Sequence, residues 1–205
     1  MQKKEKIAII GAGIQGVCAA LFLQKKGFSV TLFDRDEPGN AASYGNAGHF
    51  SPYASLQLNR TDILSDVPAM LLSSRGPLAL KWNYVFKMIP WFTKFILNSS
   101  KSKMMHTAKY MHQILNLSLD AFDELFQDVN LDGLVESNGI MYVWEKKGQK
   151  SRDLEISIRN ELGIDQQILT PKEIHDLEPN IKPFYHGGVF YKSARHAKNP
   201  KKILI

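Results

Sequence analysis

Near its N-terminus the chain reads Ile7-Ala8-Ile9-Ile10-Gly11-Ala12-Gly13-Ile14-Gln15-Gly16. The apolar run at residues 7–10 shows no alternation of polar and apolar residues, which predicts a parallel strand covered on both faces. Glycine then follows in the spacing G-x-G-x-x-G, and residues 17–26 are rich in Ala and Leu. This pattern predicts a helix that Gly27 stops.

Each glycine of this turn has a physical task. Gly11 permits the tight turn, Gly13 lets the backbone approach a pyrophosphate, and Gly16 lets helix and strand pack closely. A second strand is predicted at residues 29–33, and Asp34 closes it near the spacing of about 20 residues at which a carboxylate binds ribose hydroxyls. The sequence therefore predicts a Rossmann-like βαβ unit that binds a dinucleotide, with the phosphates at the helix N-terminus.

The residue at position 34 narrows the choice of dinucleotide. An acid there argues against a dinucleotide with a 2′-phosphate, which arginine would bind. NAD and FAD remain as candidate dinucleotides. A nicotinamide-binding domain would continue with further strands and helices of its parallel sheet. This chain instead continues with a glycine- and asparagine-rich loop at residues 38–49, which could wrap an extended cofactor. We expect FAD, and NAD is the alternative.

With these residues the chain resembles the glycine/sarcosine/D-amino-acid oxidase superfamily of flavoproteins, especially its bacterial D-amino-acid dehydrogenase branch. The resemblance is carried by the glycine fingerprint, by Asp34-Arg35, by Ala42-Ser43 and by Asn46-Ala47-Gly48-His49, and more loosely by residues 139–143 and 177–179. In that family the strand-end acid holds the adenosine ribose, and the Ser and Asn-Ala-Gly loop lies along the pyrophosphate and flavin. The fingerprint and the resemblance together give these expected FAD contacts: Gly11, Ala12, Gly13, Ile14, Gln15, Gly16, Asp34, Arg35, Ala42, Ser43, Asn46, Ala47, Gly48 and His49.

The resemblance also implies a fold and an activity. The fold is α/β, α+β overall, with a Rossmann-like FAD-binding segment at residues 1–66, inserted helices at 67–132 and an antiparallel-sheet substrate-domain segment at 133–205. The expected reaction oxidises an amino acid or related amine to an imine and then a keto acid. An inactive nucleotide-binding fragment is the non-enzymatic alternative. No side chain is singled out as catalytic, and His49 is either a loop histidine or a flavin-facing one.

In the resembled family the chain continues beyond this point. The continuation completes the FAD sheet and supplies the arginine that grips the substrate carboxylate. The sequence therefore predicts either an excerpt of a longer enzyme, incomplete at the C-terminus, or a partnership with a second chain. Tyr142 and Trp144 fall on the predicted antiparallel sheet, which roofs the flavin in that family.

Composition excludes several other classes of protein. The chain has 205 residues and a formal net charge of +6, a surplus that favours anionic partners in general. Its single cysteine, Cys18, excludes an intrachain disulfide and any multi-cysteine metal cluster, and no metal-ligand set is evident. Lysines before the apolar run at residues 7–23 could suggest a secretory signal, but glycines interrupt that run. We expect a cytoplasmic protein that acts on a small molecule and binds no nucleic acid.

The middle of the chain is basic and aromatic. Residues 67–119 contain no Asp or Glu but carry seven Lys or Arg interleaved with aromatic residues. Helices are predicted at residues 78–88 and 91–97, joined at Pro90. Such helices could lie on the anionic inner face of the cell membrane. The polar face of these predicted helices is short, which favours another interpretation. In that interpretation they form a flank of the substrate domain, and their lysines reach into water.

Later segments give weaker signals. Residues 109–126 predict one long helix, and 150–162 another. Asn138-Gly139 between residues 135–137 and 140–144 predicts a β-hairpin. Strands are predicted at 166–169 and 187–191, and Thr170-Pro171-Lys172-Glu173 predicts a capping box at a helix start.

Overall fold

The computed structural model describes residues 4–57, 59–60, 67–72, 79–129 and 133–204. They form two compact units whose segments alternate along the chain. Unit 1 comprises Met1–Ser51, Leu117–Ile140 and Lys192–Ile205, and unit 2 comprises Pro52–Asn116 and Met141–Tyr191. The predicted boundaries after residues 66 and 132 stay a prediction, since both fall beside residues outside the described ranges.

The described elements follow one another as mixed helices and strands. In chain order they are β1 (Lys6–Ile10), α1 (Ile14–Lys25), β2 (Ser29–Phe33), β3 (His49–Phe50), α2 (Val67–Leu72), α3 (Val85–Leu97), α4 (Lys101–Leu115), α5 (Ser118–Phe126), β4 (Val135–Glu136), β5 (Ile140–Trp144), α6 (Gln149–Glu161), β6 (Gln167–Leu169), α7 (Pro171–Leu177), β7 (Gly187–Tyr191) and β8 (Arg195–Ala197). Short 3₁₀ turns precede α3 at Trp82–Tyr84 and α6 at Lys146–Gly148.

Unit 1 begins with the predicted βαβ unit, which the structure confirms. Strands β1 and β2 pair in parallel, with Lys6 opposite Ser29 and Ile10 opposite Phe33, and α1 connects them. The prediction that both faces of these strands are covered is wrong for the described residues. Ile10 is 93% exposed and Phe33 is 55% exposed. Only the alternate residues of each strand are half-buried.

Glycines at both ends of α1 fix its position. A Cβ built at Gly16 would lie 1.8 Å from the carbonyl oxygen of Gly11, so α1 approaches the turn after β1 more closely than any side chain allows. At the other end Gly27 adopts φ +91° and donates its N–H to the carbonyl of Gln24 at 2.9 Å. This left-handed cap ends the helix as predicted.

The rest of unit 1 is a small sheet with a helix beside it. Strand β8 lies between β3 and β4 and pairs antiparallel with both. Lys25 donates from Nζ to the Glu124 carbonyl of α5 at 2.9 Å and pairs with Asp128 just beyond the helix at 2.8 Å. A bidentate ion pair from Arg195 to Asp123 also holds α5. Its Phe122 packs edge-to-face on Phe50, with ring centroids 4.8 Å apart.

The predicted hairpin at Asn138-Gly139 is wrong. Strand β4 pairs with β8, whereas β5 belongs to a different sheet with the order β5-β7-β6. Gly139 adopts φ +75°, so the dipeptide does turn the chain. It turns it from one sheet to another, because the hydrogen-bonding edges of β4 and β5 are used by strands distant in sequence.

Among its described residues, unit 2 packs helices and the second sheet around apolar clusters that include the following two. One cluster joins Met104 and Ala108 of α4 to Ile158 of α6. The other joins Leu169, Ile174 and Tyr185, where β6 pairs antiparallel with β7. The capping box that starts α7 is confirmed, with the Thr170 side chain accepting from the Glu173 N–H and Glu173 reaching back to the Thr170 N–H.

Two predicted helix boundaries are wrong. Helix α3 continues through Pro90, where the sequence predicts a junction between two helices. The long helix at residues 109–126 is broken, because α4 ends at Leu115 and α5 begins at Ser118. Within the described ranges, no helix combines the length and the apolar character needed to cross a membrane.

A buried ion cluster ties α6 to the segment that follows Pro52. The Glu155 carboxylate accepts from Arg60 at 2.6 Å, from Arg152 at 2.7 Å and from Arg159 at 3.1 Å. Burial alone would raise the pKa of Glu155, but the Arg60 hydrogen bond and the charges of the three arginines outweigh it and hold the pKa below its ordinary value. Glu155 therefore stays ionised in the folded protein at neutral pH.

Gly16→Ala should destabilise unit 1 by about 3 kcal/mol or more, because the new methyl group would overlap a backbone oxygen that cannot move without shifting the turn. Gly45→Ala is the matched control, since a Cβ there meets nothing within 4 Å. Chemical denaturation measures both. Equal unfolding midpoints for the two variants would contradict the close packing of α1 on the turn.

Glu155→Gln should cost about 3–5 kcal/mol of unfolding free energy at pH 7, because it leaves three guanidinium groups without their carboxylate. The stabilising contribution of Glu155 is present above its unfolded pKa of about 4.3 and is lost as pH falls through the lower folded pKa. The difference between wild type and variant should therefore shrink in acid. Glu161→Gln, an exposed acid at the end of the same helix, should cause little change, and a pH-independent difference for Glu155→Gln would oppose this account.

Candidate cofactor-binding site

The site is built on the turn that joins β1 to α1. Gly11 adopts φ +106°, which a side chain would strain, and its N–H donates to the Phe33 carbonyl at the end of β2 at 2.7 Å. Gly13 is extended at the N-cap position, and α1 begins at Ile14. The first N–H groups of a helix lack acceptors within it, so this end of α1 offers donors and a positive dipole to an anion.

Asp34 faces this turn from the end of β2. Its Oδ2 accepts a hydrogen bond from the Ala12 N–H at 2.6 Å, and its Oδ1 accepts one from the Asp36 N–H at 3.1 Å. These backbone donors, Ala12 first, lower the pKa of Asp34 below its ordinary value. The ionised carboxylate is exposed and has further lone pairs, so it can also accept hydrogen bonds from hydroxyl groups.

Ser43 reaches the start of α1 from the loop that follows. Its side chain is buried, and its Oγ accepts from the Ile14 N–H at 3.0 Å. A Cβ at Gly13 would lie 3.2 Å from this Oγ. A hydroxyl that accepts through one lone pair still has its own proton to donate, so Ser43 can hold the helix start and donate to an anion there.

The loop carrying Ser43 is shaped by its own polar side chains. The Asn46 amide donates to the carbonyls of Ala42 and Ser43 at 3.3 and 3.2 Å and accepts from the Gly48 N–H at 2.7 Å. Gly48 adopts φ +68°, and a Cβ there would lie 2.6 Å from the Ala197 carbonyl oxygen. The loop therefore has a defined conformation, and Gly48 is required where it passes β8.

Four of the predicted contacts lie outside this cluster of hydrogen bonds. Gln15, Ala47 and His49 are exposed. His49 stands opposite His196 on the neighbouring strand, with ring centroids 5.4 Å apart. The Arg35 side chain is 89% exposed and pairs with Asp36 at 3.3 Å. None of the contacts described here places these four side chains beside the turn before α1. Their roles in binding FAD stay predictions.

Gly39 also contributes to the site, although it is not among the expected FAD contacts. Gly39 donates its N–H to the Ala12 carbonyl at 3.0 Å and adopts φ +78°, and a Cβ there would lie 2.9 Å from Leu204. The Pro38-Gly39 dipeptide is a turn signal that could have indicated this position.

The residues present fit the diphosphate and ribose of a dinucleotide. Gly13 places no side chain before the start of α1, the helix N-terminus faces the same place, and the Asp34 carboxylate contacts the turn through the Ala12 N–H. Among the described residues, no group of three or more His, Cys, Asp or Glu side chains could hold a metal ion.

Comparison with known proteins agrees with this geometry. Residues 6–205 match the protein family described as FAD dependent oxidoreductase. The chain is 32% identical over 203 residues to a D-amino-acid oxidase from Bradyrhizobium diazoefficiens, covering 98% of this chain and 48% of that protein. It is 22% identical over 201 residues to a D-amino acid dehydrogenase from Helicobacter pylori, with the same shares covered.

A solved structure shows the same fold. Glycine oxidase from Geobacillus kaustophilus superposes with a TM-score of 0.59 at 16% identity, covering 97% of this chain and 42% of that one. The chain thus spans about half the length of the curated relatives it matches. The family match covers nearly the whole chain, and the resemblance inferred from the sequence is confirmed: this protein belongs to the family of FAD-dependent oxidoreductases.

Proposed function

We propose that this chain forms the FAD-binding part of an enzyme that oxidises an amino acid or related amine to the imine, which water converts to a keto acid. The observation that carries the proposal is the 2.6 Å hydrogen bond from the Ala12 N–H to the Asp34 carboxylate. This bond lies at the glycine-rich turn before α1. The relatives named D-amino-acid oxidase and D-amino acid dehydrogenase support the substrate class.

In this proposal the chain binds and orients the cofactor. The ionised Asp34 accepts hydrogen bonds from the adenosine ribose, and the first N–H groups of α1 face the diphosphate. Ser43, Asn46, Ala47 and Gly48 line the path towards the flavin. Bound FAD would supply the hydride-accepting chemistry, so no side chain of this chain is assigned a catalytic role.

Two parts of the proposal reach beyond these residues. The substrate carboxylate needs a cationic partner, which a further segment or a second chain would supply. The sequence left NAD as the alternative cofactor because Asp34 suits either ribose, but the family match supports FAD. The visible absorbance of bound flavin in the purified protein separates the two cofactors.

Gly13→Val should reduce FAD affinity by at least about a hundredfold, because the added methyl groups would occupy the space that the diphosphate needs. The control is Ala19→Val, which also introduces a valine, at an exposed position of α1. Titration with FAD, followed by quenching of flavin fluorescence, measures both variants. Unchanged affinity of Gly13→Val would argue against this site.

We also propose that α3 contacts an anionic membrane surface on the inner face of the cell membrane. Its sequence supplies Lys87 and Lys94, and its aromatic and aliphatic side chains are exposed, with Phe86 at 80% and Trp91 at 53%. No residue of α3 is buried. The absence of acids from residues 67–119 suits acidic lipid, which attracts each nearby lysine by about 1 kcal/mol.

Phe86→Ser should weaken co-flotation with vesicles that contain phosphatidylserine, because an apolar side chain would no longer enter the lipid interface. Phe184→Ser is the control, since Phe184 is 58% exposed but lies outside α3. Wild type should bind phosphatidylcholine vesicles poorly and should release from acidic vesicles at high salt. Equal binding to both vesicle types would contradict the membrane proposal. It would favour the interpretation of these helices as a flank of the substrate domain whose lysines reach into water.

A further inference from the structure

The segment that follows β8, residues 198–204, returns to the loop that carries Ser43, residues 38–48. A Cβ built at Gly39 would lie 2.9 Å from Leu204, and one built at Gly48 would lie 3.2 Å from Pro200. The segment therefore packs against the loop near each of the loop's ends. All of these residues belong to unit 1.

Lys201 contacts the middle of loop 38–48 with its side chain. Its Nζ donates to Asn40 Oδ1 at 2.9 Å and lies 5.2 Å from the centre of the Tyr44 ring. Lys201 is half-buried, whereas Tyr44 is 60% exposed. An ammonium group is attracted by the negative face of a tyrosine ring. One side chain thus links two loop residues, one on each side of Ser43.

The backbone around Lys201 is itself fixed. Asn199 Oδ1 accepts from the Lys202 N–H at 3.2 Å, and the Lys201 carbonyl accepts from the Leu204 N–H at 3.0 Å. Leu204 is buried. Because its backbone is already ordered, Lys201 loses less conformational entropy on binding Asn40 than a lysine on an unstructured segment would.

Ser43 is the loop residue through which this contact reaches α1. Its side chain is buried, and its Oγ accepts from the Ile14 N–H at 3.0 Å. Asn40 lies three residues before Ser43, and Tyr44 follows it directly. Opening of the loop would therefore withdraw the Ser43 hydroxyl from the start of the helix.

We propose that Lys201 is a positioning residue that holds loop 38–48 closed on the start of α1, so that Ser43 is in place to donate to the diphosphate of FAD. Lys201 acts through Asn40 and Tyr44. The hold is a property of the chain alone, and its effect on FAD rests on the proposed function. Apparent affinity falls in proportion to the fraction of molecules in the binding-competent state, so a loop that opens more often binds the cofactor more weakly.

Hydrogen exchange of the cofactor-free protein tests the hold directly. Lys201→Met keeps a side chain of similar shape but removes the charge and the donor. The hydrogen-bonded amides of Gly39, Tyr44 and Gly48 should exchange about tenfold faster in this variant, which corresponds to about 1.4 kcal/mol in the opening equilibrium. Lys202→Met removes the same charge from the exposed neighbouring position and should leave this exchange unchanged.

Titration with FAD measures the consequence for the cofactor. Lys201→Met should raise the Kd for FAD at least about threefold, because a smaller fraction of molecules has the loop closed. Lys202→Met should leave the Kd unchanged. Lys201→Arg keeps a cation that can donate to Asn40 and lie over the Tyr44 ring, and should restore both the Kd and the slow exchange of the loop amides.

A second variant tests the contact from the side of the loop. Tyr44→Leu removes the ring and should also accelerate exchange of the loop amides. Lys201→Met should have a smaller effect on exchange in the Tyr44→Leu background than in wild type, because the two side chains act on each other. Strictly additive effects would show that Lys201 does not act through Tyr44 and would oppose the proposal.

The two readouts separate this proposal from the proposed function. Wild-type protein that binds no FAD, with faster loop exchange in Lys201→Met, would refute the proposed function and still support the hold of Lys201 on the loop. Faster loop exchange with an unchanged Kd for FAD would refute the positioning role while leaving the cofactor assignment intact.

Three further results would overturn the proposal. The first is unchanged exchange of the loop amides in Lys201→Met. The second is an equal effect of Lys201→Met and Lys202→Met on the Kd for FAD, which would assign the change to net charge alone. The third is a failure of Lys201→Arg to restore the Kd.

Discussion

The hydrogen bond from the Ala12 N–H to the Asp34 carboxylate joins the segments that follow the carboxyl ends of β1 and β2. It links the turn after β1 to the residue after β2, and the Gly11 N–H repeats the link through the Phe33 carbonyl. Because the strands are parallel, their carboxyl ends meet at one edge, where α1 also begins. The topology of the βαβ unit therefore places the N-terminus of α1, which suits an anion, next to Asp34, which suits a ribose.

The loop after β2 is built against the same turn. Gly39 donates to the Ala12 carbonyl, Ser43 accepts from the Ile14 N–H, and Gly48 passes close to the Ala197 carbonyl. Residues from both ends of the chain thus shape unit 1. The exposed sides of Ile10 and Phe33 show that the described residues cover only one face of its parallel sheet.

Local patterns in the sequence predicted the parts of the fold that local chemistry controls. The apolar runs at residues 7–10 and 29–33 predicted β1 and β2, and the glycine spacing between them predicted the turn and α1. Thr170 with Glu173 predicted the start of α7. All these signals act within a few residues. The Asn138-Gly139 hairpin failed because long-range pairing of β4 with β8 decides where those strands lie. The cluster around Glu155 was missed, although Arg152, Glu155 and Arg159 have helical i, i+3 and i+4 spacing, because Arg60 joins them from a distant segment.

We propose that the turn before α1, together with Asp34, holds the adenosine diphosphate part of FAD. A crystal structure of the protein grown with FAD tests it most directly. The account predicts the diphosphate at the N-terminus of α1 and a ribose hydroxyl within hydrogen-bond distance of the Asp34 carboxylate. Electron density for the diphosphate elsewhere, or a ribose that does not contact Asp34, would contradict it.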